Sequence, residues 1–251
     1  MEELIEEVAR HLRRAERILF ITGAGISADS GLPTYRGIGG LYEEKLTEED
    51  VPIEEALSGQ MLLRRPELTW KYIAQVERAC RGADFNAGHR VIAEIEARKP
   101  GTWVLTQNVD GFHRRAGSRN LIEIHGRITE LYCTGCSHSR SVEDFAALQI
   151  PPSCPQCGEL VRPDVVLFGE MLPQGAVDRL YGEVSRGFDM VFSVGTTSVF
   201  PYIAEPVRLA RQWGVPAVEI NPGETEVSQV VDYRIRAGAA ETLTKLWEAS
   251  I

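Results

Sequence analysis

Short apolar segments alternate with longer helical segments along most of the chain, and this order limits the possible folds more than any other feature. The apolar segments have the length of buried strands and are Ile18–Thr22, Thr102–Thr106, Met190–Val194, Ala217–Ile220 and, with a weaker pattern, Tyr233–Arg236. Helical patterns cover residues 2–17, Asn86–Arg98, Gln174–Arg186, Tyr202–Gln212 and Ala240–Ala249. Strands that alternate with helices form a mostly parallel sheet with helices on both faces. We therefore predict an α/β fold.

Composition and charge exclude several classes of protein. The 251 residues include 27 Lys and Arg against 36 Asp and Glu, so the formal net charge is −9. No apolar run approaches the ~20 residues that a membrane helix needs, and residues 1–17 mix both charge signs where a signal peptide has an apolar stretch. An acidic balance also argues against a general nucleic-acid or anionic-membrane surface. We expect a cytoplasmic protein that binds no membrane and no nucleic acid directly.

Four of the five cysteines have the spacing of a metal site. Cys133 and Cys136 form a C-x2-C pair, and Cys154 and Cys157 form a second pair 17 residues further on. This spacing is typical of a four-thiolate zinc ribbon, in which the ion has no open position and is structural. The alternative is two disulfides, which are rare in a reducing compartment.

Two stretches do not fit the alternation of strands and helices. Residues 37–100 are helical and charged, and residues 127–165 contain the cysteines. We interpret them as an inserted helical segment and a zinc-ribbon module, which together form a small second module. Residues 1–36, 101–126 and 166–251 then form the sheet domain. A cleft between two such modules is a common place for catalysis.

Glycine and small polar residues follow the strands, where open α/β sheets bind ligands. Residues 23–28 match the dinucleotide fingerprint G-x-G-x-x-[G/A], but no second strand with an acidic end follows about 20 residues later. This departure suggests a dinucleotide held in an unusual way, with Tyr35 and Arg36 on a loop that can fold over it. Residues 106–110, TQNVD, could hold a carboxamide and ribose hydroxyls, or could simply form a capped turn. His125 lies just before the cysteine module and is suited to act as a general base.

Taken together, these segments resemble the sirtuins, the NAD-dependent protein-lysine deacylases. The matching segments are GAGISADSGLPTYRG (23–37), TQNVDGFHRRAG (106–117), EIHG (123–126), the four cysteines, RPDVVLFGE (162–170), GTTS (195–198) and Asn221. They occur in the family's order and spacing and span nearly the whole chain. The compact length is similar to that of the small bacterial and archaeal members.

The resemblance implies a Rossmann-type NAD-binding domain, a structural zinc module and a cleft in which NAD meets an acyl-lysine. The expected activity is deacylation, most simply deacetylation, that yields nicotinamide, O-acyl-ADP-ribose and free lysine. The implied catalytic residues are His125 as general base, with Asn108 and Asp110. The implied NAD contacts are Gly23, Ala24, Gly25, Asp29, Pro33, Tyr35, Arg36, Gln107, Asn108, Asp110, Gly195, Thr196, Thr197, Asn221 and Ala239.

The resemblance also implies how an acyl-lysine peptide or protein is held. Val166, Phe168, Gly169 and Glu170 are similar to the segment that pairs with substrate backbone by strand addition. Members that remove succinyl or malonyl groups have a Tyr and an Arg at the positions of Ile73 and Val76. The absence of that arginine predicts a preference for uncharged acyl groups, because a buried carboxylate without a cation is costly. A register shift that brought in Tyr72 and Arg78 would instead favour desuccinylation or demalonylation.

One further departure lies in the segment Phe200-Pro201-Tyr202, where the family has its proline one position later. The loop beside the substrate can therefore differ in this chain.

Functions of other classes explain only part of the pattern. A nicotinamide oxidoreductase accounts for the glycine loop but not for the missing ribose carboxylate. A zinc-ribbon nucleic-acid-binding module accounts for the cysteines alone, and a silent binding protein does not need His125, Asn108 and Asp110. A mono-ADP-ribosyltransferase would break the same bond in NAD but would leave ADP-ribose on protein, and it remains the main alternative.

Overall fold

The computed structural model describes residues 1–34 and 46–251. Tyr35 and Arg36, two of the predicted NAD contacts, lie outside the described residues. None of the described helices has the length and apolar character needed to cross a membrane.

A six-stranded parallel sheet forms the centre of the larger domain. The strands are β1 Ile18–Thr22, β2 Trp103–Thr106, β3 Leu121–Glu123, β7 Met190–Val194, β8 Ala217–Ile220 and β9 Tyr233–Ile235. Their order in the sheet is β3-β2-β1-β7-β8-β9. Every residue of β1 and β7 is buried, because both faces of a parallel sheet are covered. The predicted α/β fold with a Rossmann-type parallel sheet is confirmed.

Helices cover both faces of this sheet. Helices α1 Glu2–Arg14, α6 Ala87–Arg98 and α10 Ala239–Ser250 pack on one face, and α8 Gln174–Ser185 and α9 Pro201–Gln212 pack on the other. Alternate residues of β1 point to opposite faces: Ile18 and Phe20 contact the first set of helices, and Leu19 and Ile21 the second. Two short helices follow strands, α2 Ala24–Ser27 after β1 and α7 Phe112–Ala116 after β2.

Helix α6 differs from the prediction that residues 37–100 form one inserted segment. Its apolar residues Val91, Ile92 and Ile95 are buried in the core of the sheet domain, where α6 packs against α10. The side chain of Asn86 caps the helix, accepting a hydrogen bond from Gly88 N at 2.9 Å. The apolar stripe of α6 therefore belongs to the large domain, and the inserted helical part ends before it.

The smaller module combines helices with a three-stranded antiparallel sheet. Its elements are α3 Ile53–Ala56, α4 Gly59–Arg64, α5 Pro66–Cys80, β4 Gly126–Cys133, β5 Ser139–Ser141 and β6 Val161–Val165, with strand order β5-β4-β6. Helices and strands share one hydrophobic core. Trp70 of α5 is fully buried in it and donates a hydrogen bond to the carbonyl of Val161 at 3.1 Å. The two segments that are distant in sequence thus form a single packed unit.

Candidate active site and metal centre

The loops that follow β1 and β7 interlock at the carboxyl edge of the sheet. Gly25 N donates to the carbonyl of Gly195 at 2.8 Å. A Cβ atom on Gly25 would lie 2.6 Å from Gly195 Cα, and one on Gly195, whose φ is +59°, would lie 2.4 Å from Ile26 N. No side chain fits at either position. The fingerprint glycines therefore allow two backbones to meet here, leaving an edge lined by backbone atoms that a nucleotide can approach closely.

Thr196 connects the polar residues of this edge. Its hydroxyl accepts a hydrogen bond from Gln107 Nε2 at 2.7 Å, and its carbonyl accepts one from Asn221 Nδ2 at 3.1 Å. Thr197, by contrast, is exposed. The structure thus brings together the predicted residues from three strand ends.

Asn108, Ser27 and Asp110 form a hydrogen-bonded chain in which Asn108 and Ser27 are buried and Asp110 is half-buried. Asn108 Nδ2 donates to the carbonyl of Gly23 at 3.1 Å and to Ser27 Oγ at 3.3 Å. The Ser27 hydroxyl then donates to Asp110 Oδ2 at 2.8 Å, and Phe112 N donates to Asp110 Oδ1 at 2.9 Å. Burial raises the pKa of the Asp110 carboxyl, although these hydrogen bonds oppose the shift. Sequence reasoning did not identify Ser27.

A cleft lies beside this chain. Its described lining consists of Ala24, Ser27, Leu32, Pro33, Val76, Ala79, Cys80, Asn108 and Asp110. Asp110 is the sole charged side chain among these residues, so the described wall contains a carboxylate and no cation. Burial, together with the nearby Asp110 and Glu77, raises the pKa of Cys80 to about 12, and this thiol is not activated.

His125 is held by hydrogen bonds at both ring nitrogens. Nδ1 lies 3.1 Å from the carbonyl of Gln107, and Nε2 lies 2.7 Å from the hydroxyl of Tyr202. Burial lowers the pKa of the imidazole, and the Gln107 carbonyl partly offsets this effect. At neutral pH the ring is therefore neutral and able to accept a proton. The sequence signal for Tyr202 is the displaced proline at Pro201.

Two predicted NAD contacts, Asp29 and Ala239, meet at the beginning of α10. Ala239 is the first residue of that helix, and Asp29 reaches it from the segment after β1. Asp29 Oδ2 accepts a hydrogen bond from Ala240 N at 3.0 Å. Ala239 is buried in the core of the sheet domain. In the structure these two residues join the loop after β1 to α10.

The predicted peptide-binding segment is already paired on one side. Val166 N donates to the carbonyl of His125 at 3.0 Å. Phe168 N donates to the carbonyl of Leu57, also at 3.0 Å, and the carbonyl of Phe168 accepts from Gly59 N at 3.1 Å. The N–H of Phe168 and one lone pair of its carbonyl are thus used within the protein.

Glu170, also predicted to contact substrate, forms an internal ion pair. Its carboxylate accepts hydrogen bonds from Arg162 Nη1 at 2.5 Å and from Leu167 N at 2.9 Å. Gly169, which immediately precedes Glu170, has a φ of +80°. Glu170 thus supports the segment from within.

Of the two residues predicted to read the acyl group, one lines the cleft. Ile73 and Val76 are both buried in the core of the smaller module, and Val76 also lies in the wall of the cleft. The residues that a register shift would bring in are placed elsewhere: the Tyr72 hydroxyl donates to Glu49 at 2.5 Å, and Arg78 is exposed. Val76 is thus the residue whose side chain borders the cleft.

The four cysteines meet at one point. The sulfur atoms of Cys133, Cys136, Cys154 and Cys157 all lie within 4.8 Å of one another. The distances are 3.4 Å for Cys133 to Cys157 and 3.7 Å for Cys136 to Cys154. Four ligands at ~2.3 Å from a tetrahedral zinc ion lie about 3.8 Å apart, and all four thiols are free of disulfides. The cluster therefore fits a structural zinc ion and not two disulfides.

Fold and site together define a nucleotide-binding α/β protein with a four-cysteine metal module. The model of the Sir2 family matches residues 23–201, and the chain belongs to this family, which confirms the resemblance to the sirtuins. It is 55% identical to NAD-dependent protein deacylase 2 of Pseudomonas aeruginosa over 96% of this chain and 95% of that protein. It is 38% identical to the NAD-dependent protein deacylase of Aquifex aeolicus, over 92% of this chain and 94% of that one.

Solved structures of the family have the same fold. A Sir2 homologue in complex with NAD has a TM-score of 0.86 and 38% sequence identity, over 98% of this chain and 93% of that chain. A Sir2 variant in complex with a deacetylated p53 peptide and 3′-O-acetyl ADP-ribose has a TM-score of 0.87 and 29% identity, over 97% of each chain. These complexes support NAD as the cosubstrate. The four-cysteine cluster supports the predicted structural zinc ion.

Proposed function

We propose that this protein is an NAD-dependent protein-lysine deacylase that removes acetyl and other uncharged acyl groups. Its products are nicotinamide, an O-acyl-ADP-ribose and free lysine. The observation that carries the proposal is the position of His125, a neutral imidazole whose Nδ1 is held by the carbonyl of Gln107. Gln107 lies in the loop after β2 that also contains Asn108 and Asp110. Membership of the Sir2 family and the deacylase names of its relatives support the same conclusion.

Residues at the carboxyl edge of the sheet hold NAD in this proposal. They are Gly23, Ala24, Gly25, Asp29, Pro33, Gln107, Asn108, Asp110, Gly195, Thr196, Thr197, Asn221 and Ala239, with Tyr35 and Arg36 from outside the described residues. Bound NAD supplies an electrophilic ribose carbon and accepts the acyl group. Asn108 and Asp110 bind the carboxamide, because the Asp110 carboxylate can accept from an amide N–H and their fixed hydrogen bonds leave little reorganisation to do.

His125 acts as the general base. The Gln107 carbonyl can only accept a hydrogen bond, so Nδ1 carries the proton and Nε2 presents the lone pair. Burial lowers the pKa of His125 and keeps this lone pair free of a proton at neutral pH. The base removes a proton from a ribose hydroxyl, which then takes over the acyl group from lysine.

The peptide is held by strand addition to the segment that contains Val166 and Gly169. Phe168 and Glu170 fix this segment from its inner side through Gly59 and Arg162. Backbone pairing of this kind reads little side-chain sequence.

The acyl group meets an apolar wall at Val76. The one charge among the described cleft residues is the carboxylate of Asp110. A succinyl or malonyl carboxylate would lose its hydration there and would face a like charge, with no cationic partner among the described lining residues. Acetyl and longer uncharged acyl groups avoid both costs.

The acyl class is tested with a peptide panel. The same peptide is prepared with acetyl-, butyryl-, myristoyl- or succinyl-lysine, and mass spectrometry follows it with and without NAD. The proposal expects NAD-dependent loss of the uncharged groups and retention of succinyl. Fast desuccinylation would contradict the role of Val76.

The role of His125 is tested with His125→Tyr. We expect turnover to fall below detection while zinc content and melting temperature stay at the wild-type values. His11→Tyr, which replaces a histidine on α1 far along the chain from the site, serves as the matched control. An active His125→Tyr protein would refute the assigned base, and ADP-ribose left on protein would favour the transferase.

A further inference from the structure

The hydroxyl of Tyr202 is hydrogen-bonded to the nitrogen of His125 that is proposed to act as the base. Its oxygen is 2.7 Å from His125 Nε2. Tyr202 is the second residue of α9, and Pro201 is the first. Proline is favoured at the first position of a helix because its φ is preset and its missing N–H needs no partner there. The order Pro201-Tyr202 therefore begins the helix one residue before the tyrosine and brings the tyrosine to His125.

The direction of this hydrogen bond follows from the other side of the ring. The Gln107 carbonyl requires a proton on Nδ1. Neutral imidazole then has a single lone pair, on Nε2, so Tyr202 must donate its hydroxyl proton to it. Burial raises the pKa of Tyr202 to about 12, and the hydroxyl keeps that proton at neutral pH.

A single lone pair accepts one hydrogen bond at a time. A ribose hydroxyl can therefore reach Nε2 directly only if the Tyr202 hydroxyl turns away. The ring of Tyr202 is not free to do so at low cost. It stacks on Phe200 with ring centres 5.5 Å apart and an interplanar angle of 12°, and both rings meet the edge or face of His125 at 6.0 Å. Leaving this position would give up the ring contacts as well as the hydrogen bond.

We propose that Tyr202 is a further catalytic residue that passes the proton from the ribose hydroxyl to His125. The proposal rests on the proposed function, in which His125 is the base. The ribose O–H bond breaks as its proton binds the Tyr202 oxygen, and the original Tyr202 proton forms the new Nε2–H bond. One O–H bond is broken and one formed on Tyr202, so the phenol is unchanged and no other reactant is needed. A hydroxyl can do this because it both donates and accepts, just as one intervening water can connect a base to its substrate.

The test begins with the protein free of ligand. Tyr202→Phe keeps the ring and its stacking but removes the hydroxyl. With 15N-labelled histidine, we expect the Nε2 resonance of His125 in this variant to move downfield, toward an imine nitrogen that accepts no hydrogen bond. Tyr181→Phe is the matched control. It also removes a tyrosine hydroxyl that contacts α9, since the Tyr181 hydroxyl donates to Glu205 at 2.8 Å. An unchanged Nε2 resonance in Tyr202→Phe would overturn the hydrogen bond on which the proposal depends.

Turnover then separates proton transfer through Tyr202 from direct transfer. We expect kcat of Tyr202→Phe to fall at least ~100-fold, the lower end of the range of general acid–base contributions, with KM for NAD within about twofold of wild type. Tyr181→Phe should keep its kcat. A Tyr202→Phe enzyme with wild-type or higher kcat would show that His125 takes the proton directly and would overturn the proposal. Wild-type protein without turnover would instead refute the proposed function, so the two failures are distinguishable.

Discussion

Replacing Trp70 by phenylalanine tests whether the helical insertion and the zinc module are one packed unit. Trp70 is fully buried on α5. Its ring lies 5.4 Å from that of Phe145, tilted by 57°, and its indole N–H donates to the carbonyl of Val161. Phe145 lies between the two cysteine pairs and Val161 follows the second pair, so this one side chain connects the helical part to two segments of the cysteine module.

The expected loss of stability has two parts. Phenylalanine is smaller than tryptophan and leaves a void on the order of 40 Å³, which costs ~1 kcal/mol. The buried Val161 carbonyl loses its partner, which costs about 1–3 kcal/mol. We therefore expect Trp70→Phe to lower the free energy of unfolding by about 2–4 kcal/mol, and the melting temperature by roughly 4–16 °C in a chain of this size.

Urea unfolding of the zinc-loaded protein, followed by circular dichroism, measures this loss. Trp213→Phe is the control, because Trp213 is 53% exposed and surface substitutions usually change stability by less than ~0.5 kcal/mol. Equal unfolding midpoints for the two variants would refute the shared core.

Three further predictions concern the cleft. Gly25→Ala should weaken NAD binding at least ~10-fold by calorimetry, because its Cβ would lie 2.6 Å from the backbone of the neighbouring loop; Gly175→Ala, with open space around it, should bind as wild type. Val76→Arg should raise the ratio of succinyl to acetyl turnover, whereas loss of the exposed Arg78 side chain in Arg78→Ala should leave that ratio unchanged. Since burial lowers the pKa of His125, kcat/KM should fall with decreasing pH at a midpoint below ~6.5, and a midpoint above that value would contradict the buried neutral base.

The parts of the fold that the sequence predicted are those with local signals. Strands β1, β7 and β8 have the predicted bounds, because strands buried on both faces are continuous apolar runs. The four cysteines were found from spacing alone, because a tetrahedral ion needs two close pairs. Strand β3 was not predicted as a strand, since its three residues are too short for a periodic pattern.

The parts that were missed depend on contacts between distant segments. Helix α6 has an ordinary amphipathic pattern, and no local feature shows that its apolar side packs against α10 and not against the smaller module. The pairing of Phe168 with Leu57 and Gly59 joins residues more than 100 positions apart. The hydrogen bond from Tyr202 to His125 had only an indirect signal, the displaced proline, which indicated a different loop but not its partner.

The most direct test of the central claim is a stoichiometric measurement on one reaction. Zinc-loaded enzyme is incubated with an acetyl-lysine peptide and NAD, and mass spectrometry quantifies free peptide, nicotinamide and nucleotide product. The proposed function predicts one nicotinamide and one O-acetyl-ADP-ribose for each lysine freed, and no reaction without NAD. Nicotinamide release with the acetyl group still on the peptide, or with ADP-ribose attached to protein, would contradict it.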